Sequence, residues 1–151
     1  WFLIQRINKT SVVRTMPPHL REYVTEFNFL FEQIYKCSKM NTDDETSFIL
    51  FYNFGNNVRK FLDVLLYYKY PNSNKTIEKL RKYFGDYTSA HLVNRLENEL
   101  SHLENYFEKG MYPIDYDEIK KVAEFIVSKI KERDPDQYDA LLNSIGVTEP
   151  S

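Results

Sequence analysis

Residues 48–70 read FILFYNFGNNVRKFLDVLLYYKY and form the most apolar stretch of this 151-residue chain. Four apolar side chains in this stretch recur at helical spacing and share one helix face: Phe51, Val58, Leu62 and Leu65. Gly55 lies within the pattern, and a single Gly is tolerated inside a helix. The spacing therefore predicts one long, largely buried helix over 46–70, at the centre of the fold.

Helical spacing also marks the segments on both sides of this central helix. The further helices are predicted over 17–37, 75–84, 89–108, 115–133 and 134–146. Their core faces are drawn from Tyr23, Phe27, Leu30, Ile34, Val93, Leu96, Leu100, Leu103, Phe107, Ile119, Val122, Ile126 and Ile130. Pro17-Pro18 opens the first of them, and Asp134-Pro135 supplies an N-cap with Pro at the first helical position of the last. Asp115 and Glu118 have capping-box spacing.

The chain begins differently, with two short segments rich in β-branched and aromatic residues. These segments, 1–7 and 11–16, are separated by a turn-like Asn8-Lys9-Thr10 and predict a pair of strands. Two strands alone are marginally stable in water, so we expect them to form the edge of a larger sheet upstream of Trp1. The predicted fold class is mainly α, with this strand pair (1–16) continuing a missing core and an irregular helical bundle over 17–151.

Composition and charge exclude several functional classes. With 20 Lys and Arg against 22 Asp and Glu, the net charge is -2, so any contact with RNA has to be local. The single Cys37 excludes a disulfide framework and a cysteine zinc site, and it fits a reducing, cytoplasmic location. No apolar run approaches the ~20 residues of a membrane span, so we expect no membrane contact.

The chain lacks the short motifs of nucleotide and metal sites. It contains no GxxxxGK[ST], no GxGxxG and no HExxH. His19, His91 and His102 lie on three separate segments without the spacing of a helical metal pair. We therefore expect no metal or cofactor site within these 151 residues.

Two polar clusters interrupt otherwise apolar helices. Arg59 and Asp63 are four residues apart and face the same way, as an exposed ion pair, a pair that orients the helix, or part of a site. Arg95, Asn98 and His102 lie along one side of the predicted helix 89–108. There His102 is suited to proton transfer and an arginine to stabilising a phosphorane, as in metal-independent RNA cleavage. A solvated helix face with a surface histidine is the alternative.

Aromatic residues are abundant, with 12 Tyr and 11 Phe. Most of them lie at core spacing, which favours packing over base stacking. Tyr67, Tyr68 and Tyr70, before Pro71, are the candidates for a contact surface.

Three stretches carry a resemblance to a known family. The order is N-x-x-R-K-F-L-D at 56–63, an aromatic run, Y-P-N-S at 70–73 and, further on, N-R-L-x-N-x-x-S-H at 94–102. This order resembles the C-terminal region of a group of bacterial AAA/ABC-type ATPases that includes the tRNA anticodon nucleases. The resemblance implies a C-terminal fragment of a P-loop ATPase whose Walker A, signature and Walker B motifs, with ATP and Mg²⁺, lie upstream.

The same resemblance implies a ribonuclease site of the HEPN type. Arg59 corresponds to the family's arginine, Asp63 to its acidic residue and His102 to its histidine, while Arg95 and Asn98 match HEPN-like partners of His102. The nucleases carry a glutamate where this chain has the shorter Asp63. The implied partners are the ATPase domain, RNA such as tRNA, and a second copy of the chain, and the implied role is defence against phage.

The sequence therefore predicts one of two functions. The first is a helical effector or regulatory module of a cytoplasmic ATPase that cleaves RNA. The second is a non-catalytic dimerisation or partner-binding domain of the same ATPase, in which the polar clusters fix helix register and the tyrosines form the interface.

Overall fold

A computed structural model of the chain describes residues 2–16, 25–41, 48–72, 75–85 and 116–148. Within these ranges it contains two strands and six helices. They are β1 (Phe2–Ile7), β2 (Thr10–Thr15), α1 (Glu26–Lys39), α2 (Phe48–Tyr52), α3 (Phe54–Lys69), α4 (Thr76–Phe84), α5 (Tyr116–Arg133) and α6 (Pro135–Ser144). The predicted fold class, mainly α with two short N-terminal strands, is confirmed.

The two strands form an antiparallel hairpin. Asn8 and Lys9 make its two-residue turn with φ values of 49° and 67°, the left-handed conformation that matches the twist of paired strands. Because Ile4 pairs with Val13, these two side chains and Phe2 lie on one face of the hairpin. All three are exposed, so the hairpin presents an apolar face that no described helix covers.

The core lies between α1, α3 and α5, with α1 in contact with both other helices. α4 packs against α3, and α6 packs against α5. Phe27 of α1 stacks on Phe61 of α3 with ring centres 4.6 Å apart, and Phe31 lies 6.0 Å from the same ring. Of the described core positions predicted from apolar spacing, Phe27 is partly buried and the others are buried: Leu30, Ile34, Phe51, Val58, Leu62, Leu65, Ile119, Val122, Ile126 and Ile130.

The central helix differs from its prediction in one respect. The segment predicted as a single helix over 46–70 is two helices, α2 and α3, which meet at Asn53. The Asn53 side-chain amide donates a hydrogen bond to the Ile49 carbonyl at 2.9 Å, while the backbone bond from Asn53 to the same carbonyl lengthens to 3.3 Å. An Asn that bonds its own helix in this way competes with the backbone ladder.

The helix predicted over 17–37 is interrupted at Thr25. Thr25 is extended, with φ -145° and ψ 162°, and is the N-cap of α1. Its side chain accepts a hydrogen bond from the backbone N–H of Asn28. The prediction of one continuous helix over 17–37 was therefore wrong, and α1 continues to Lys39 instead. Pro17-Pro18, the cap at Asp115 and the predicted helix 89–108 with its core face lie outside the described residues.

Candidate functional site

The candidate site is built on α3, whose inner face is fixed by the core. Val58, Phe61 and Leu62 are buried against α1, and this packing turns the opposite side of the helix outward. Arg59 is partly buried at the edge of that outer side, and Asp63, one turn later, is exposed. Both candidate side chains therefore lie on one side of the helix, as the four-residue spacing predicted, and the core packing turns that side outward.

Arg59 and Asp63 do not neutralise each other. No ion pair or hydrogen bond joins either side chain to the other or to any further residue in the described part of the chain. The exposed ion pair suggested by their spacing is thus not formed. Arg95, Asn98 and His102 lie outside the described residues, so their meeting with Arg59 and Asp63 stays a prediction.

A second polar group, at the C-terminal end of α3, was not found from the sequence. In this Lys69–Tyr83–Asp134 cluster, the Tyr83 hydroxyl donates to Asp134 Oδ2 at 3.0 Å and Lys69 Nζ pairs with Asp134 Oδ1. Lys69 Nζ also lies 5.8 Å from the centre of the Tyr83 ring. The cluster joins the ends of α3 and α4 to the junction of α5 and α6.

Burial keeps the hydroxyl of Tyr83 in this cluster protonated. The Tyr83 side chain is buried, and this burial, followed by the hydrogen bond to Asp134, raises the pKa of Tyr83 well above its usual value. Tyr83 is therefore a neutral donor to a carboxylate whose side chain is only 15% exposed. Because both oxygens of Asp134 have partners, the cluster acts as a structural anchor.

The side chain of Asp134 has other partners than those expected of an N-cap residue. It occupies the N-cap position of α6, with Pro135 at the first helical position, as predicted, but its side chain makes no capping hydrogen bond. The carboxylate instead bonds to residues 51 and 65 positions earlier in the chain. No local sequence signal indicates partners at such separations.

A comparison with known proteins concerns residues 1–128 of the chain. A family model for an AAA domain matches residues 1–128. The chain belongs to this AAA domain family. No curated protein and no solved structure matches it. The family match includes the hairpin, all of α1 to α4 and most of α5, so this AAA domain relationship spans the strand pair and the described helices that precede α6.

The chain has a single cysteine, Cys37. Cys37 is buried, and burial raises the pKa of its thiol to about 12, so the reactive thiolate is scarce at neutral pH. The described residues hold no cluster of three or more His, Cys, Asp or Glu side chains suited to a metal ion. None of the described helices is both long and apolar enough to cross a membrane.

Proposed function

We propose that this chain is the helical effector module of an AAA-type ATPase and that the module cleaves RNA without a metal ion. The match to the AAA domain family supports the ATPase relationship. The 151 residues contain no GxxxxGK[ST] motif, so the proposal assigns ATP and Mg²⁺ to an ATPase domain that works with this module. The ATPase domain is thus the first proposed partner of this chain.

The hairpin is the proposed attachment to the ATPase domain. Its face of Phe2, Ile4 and Val13 is exposed, and a two-stranded hairpin is marginally stable without further strands or a covering element. Pairing of either hairpin edge with a sheet of the ATPase domain would satisfy that edge, and an element of the same domain packed on the apolar face would bury it. Residues 1–16 would then continue the ATPase core, and 17–151 would form the effector.

The proposed cleavage uses five side chains. His102 acts as general acid and base, taking the proton of the attacking ribose hydroxyl and returning a proton to the leaving oxygen. Arg59 and Arg95 hold the scissile phosphate and stabilise the charge that develops on it. Asp63 and Asn98 orient these groups.

One observation supports this assignment most directly. Arg59 is a partly buried cation in the most apolar helix, and it has no carboxylate partner among the described residues, although Asp63 is one turn away. Desolvated charges in proteins are usually paired or bound to a ligand. An arginine in this position is suited to a phosphate, which its planar guanidinium binds through two hydrogen bonds.

The decisive experiment uses the full-length ATPase with His102→Ala and, as a matched control, His91→Ala. We expect His102→Ala to abolish tRNA cleavage and to leave ATP hydrolysis intact, whereas His91→Ala retains both. Cleavage that survives His102→Ala would overturn the assignment.

The alternative is a non-catalytic dimerisation or partner-binding domain. It is favoured by the exposed apolar side chains Val64, Tyr67 and Tyr68 on the outer side of α3. Titration of His102 by NMR separates the two functions, because a catalytic imidazole is accessible and titrates near neutral pH. A structural network would hold it in one protonation state. Sedimentation of the full-length protein tests the homodimer that either function can use.

A further inference from the structure

Basic residues are concentrated in one segment of this weakly acidic chain. Residues 67–82 contain five Lys and Arg and one acidic residue, although the whole chain has a net charge of -2. The segment covers the end of α3 and nearly all of α4, which pack against each other. A local basic surface of this kind is what contact with a polyanion requires when the overall charge is not positive.

Two exposed tyrosines lie on the same surface. Tyr67 is 60% exposed and Tyr68 is 79% exposed. Their rings meet edge to face, with centres 5.5 Å apart and planes at 83°. This contact orients the two rings without covering the outer face of Tyr68, which leaves an open aromatic platform.

Lysines of α4 lie over the neighbouring rings. Lys79 Nζ is 5.6 Å from the centre of the Tyr67 ring, and Lys82 Nζ is 5.8 Å from that of Tyr70. Neither lysine forms an ion pair within the part of the chain that the structure describes. Being three residues apart, they lie on one side of α4.

Two other lysines of the same segment, unlike Lys79 and Lys82, have carboxylate partners. Lys75 pairs with Glu78 at 3.3 Å, and Lys69 pairs with Asp134. The one exposed carboxylate on the same side of α3 is Asp63, a turn before Tyr67. The carboxylates of Glu78 and Asp134 are thus paired with other lysines, and they do not neutralise Lys79 and Lys82.

We propose that this Tyr–Lys surface, formed by Tyr67, Tyr68, Tyr70, Lys79 and Lys82, binds a single strand of nucleic acid. A base stacks on Tyr68, and backbone phosphates contact the two lysines. The proposal deepens the proposed function and rests on it for the role of the strand as substrate, because Tyr67 follows Asp63 by one helical turn. The cores of protein interfaces are depleted in lysine, which favours a nucleic acid over a protein at this surface.

The test measures binding separately from cleavage. The full-length protein carrying His102→Ala is titrated into fluorescein-labelled, unstructured RNA of about 12 nucleotides, or DNA of the same sequence, and anisotropy is recorded. Titrations between about 50 and 200 mM salt give the salt dependence. RNA and DNA both offer bases for stacking and backbone phosphates, so comparing their affinities shows which of the two strands this surface prefers.

We expect Tyr68→Ala to weaken binding about tenfold. Lys79→Gln with Lys82→Gln lowers the slope of log K against log salt by about 1.4, since each phosphate contact on a single strand contributes about 0.7. Two matched controls, Lys121→Gln on α5 and Ile49→Ala on α2, remove an exposed cation and an exposed apolar side chain elsewhere. Both controls bind like the parent protein.

Binding that is unchanged in the Tyr68 and lysine variants would overturn this surface, even if the protein cleaves RNA. Failure to bind either strand, with Tyr68→Ala altering the sedimentation of the protein, would assign the surface to a protein partner instead and also overturn the proposal. Binding that depends on Tyr68 and the lysines, in a protein that does not cleave RNA, supports this surface and refutes only the ribonuclease.

Discussion

The two polar groups of α3 are built in opposite ways. At its C-terminal end, Lys69 meets Asp134 and Tyr83, residues that are distant in the sequence, and both carboxylate oxygens are engaged. In the middle of the helix, Arg59 and Asp63 are close in the sequence and face the same way, yet no described residue pairs with either. Proximity along a helix thus does not ensure pairing. The Lys69–Tyr83–Asp134 cluster is closed, because distant residues engage both carboxylate oxygens, whereas Arg59 and Asp63 form an open pair.

The difference has a physical cause in solvation. Where Asp134 and Tyr83 are removed from water, unpaired groups would be costly, so the structure supplies partners. On the outer side of α3, Asp63 is exposed, and water replaces a partner there at little cost, whereas Arg59 is partly buried and its charge favours a bound ligand. The closed cluster therefore stabilises the fold, while the open pair is available to a ligand.

The largest effect is expected at the open pair. Arg59→Gln keeps most of the side-chain stem and removes the charge, so RNA cleavage should fall by about a hundredfold or more. The free energy of unfolding should change by less than about 0.5 kcal/mol. Single-turnover cleavage and urea unfolding measure the two quantities, with Lys121→Gln as the control. A large loss of stability would place Arg59 with the closed cluster instead.

At the closed cluster, Asp134→Ala should lower the free energy of unfolding by about 2 to 3 kcal/mol. The change leaves the buried Tyr83 hydroxyl without its acceptor and removes the partner of Lys69. Urea unfolding measures the loss, and Asp139→Ala, at an exposed position of the same helix, should be close to neutral. Equal effects of the two substitutions would show that the cluster is no anchor.

Tyr83→Phe should cost less, about 1 kcal/mol, because the ring and the Lys69–Asp134 pair remain. Since burial raises the pKa of Tyr83, its hydroxyl stabilises the fold fully below pH ~10, and this contribution is lost as the pH rises further. The variant should therefore lose stability less steeply in alkali. Tyr67→Phe, whose hydroxyl is exposed, is the control, and identical alkaline profiles would contradict the role of Tyr83.

The smallest effect is expected for an exposed pair on the same helix. Lys60 of α3 and Glu26 of α1 lie 3.3 Å apart, and both side chains are largely exposed. Lys60→Gln should change the free energy of unfolding by less than about 0.5 kcal/mol, because exposed ion pairs contribute little. A loss as large as that of Asp134→Ala would show that separation in sequence, rather than exposure, decides the strength of these pairs.

Local patterns predicted most of the described helices and both strands. The face of α5 and the end of α4 at Gly85, which has φ 89°, followed from apolar spacing and from the freedom of glycine. Apolar spacing did not predict the interruption at Asn53 or the extended Thr25 that caps α1. Both misses involve short polar side chains that bond nearby backbone groups, a competition that apolar spacing does not register.

The sequence by itself determined the helical class, the hairpin and the side of α3 that carries Arg59 and Asp63, because the period of apolar residues decides which face is buried. Only the tertiary structure decided which charges have partners. Asp134 reaches Tyr83 and Lys69 because helix packing brings the ends of α3 and α4 to the α5–α6 junction. Lys79 and Lys82 lie over tyrosine rings because α4 packs beside α3, a juxtaposition set by burial of the core.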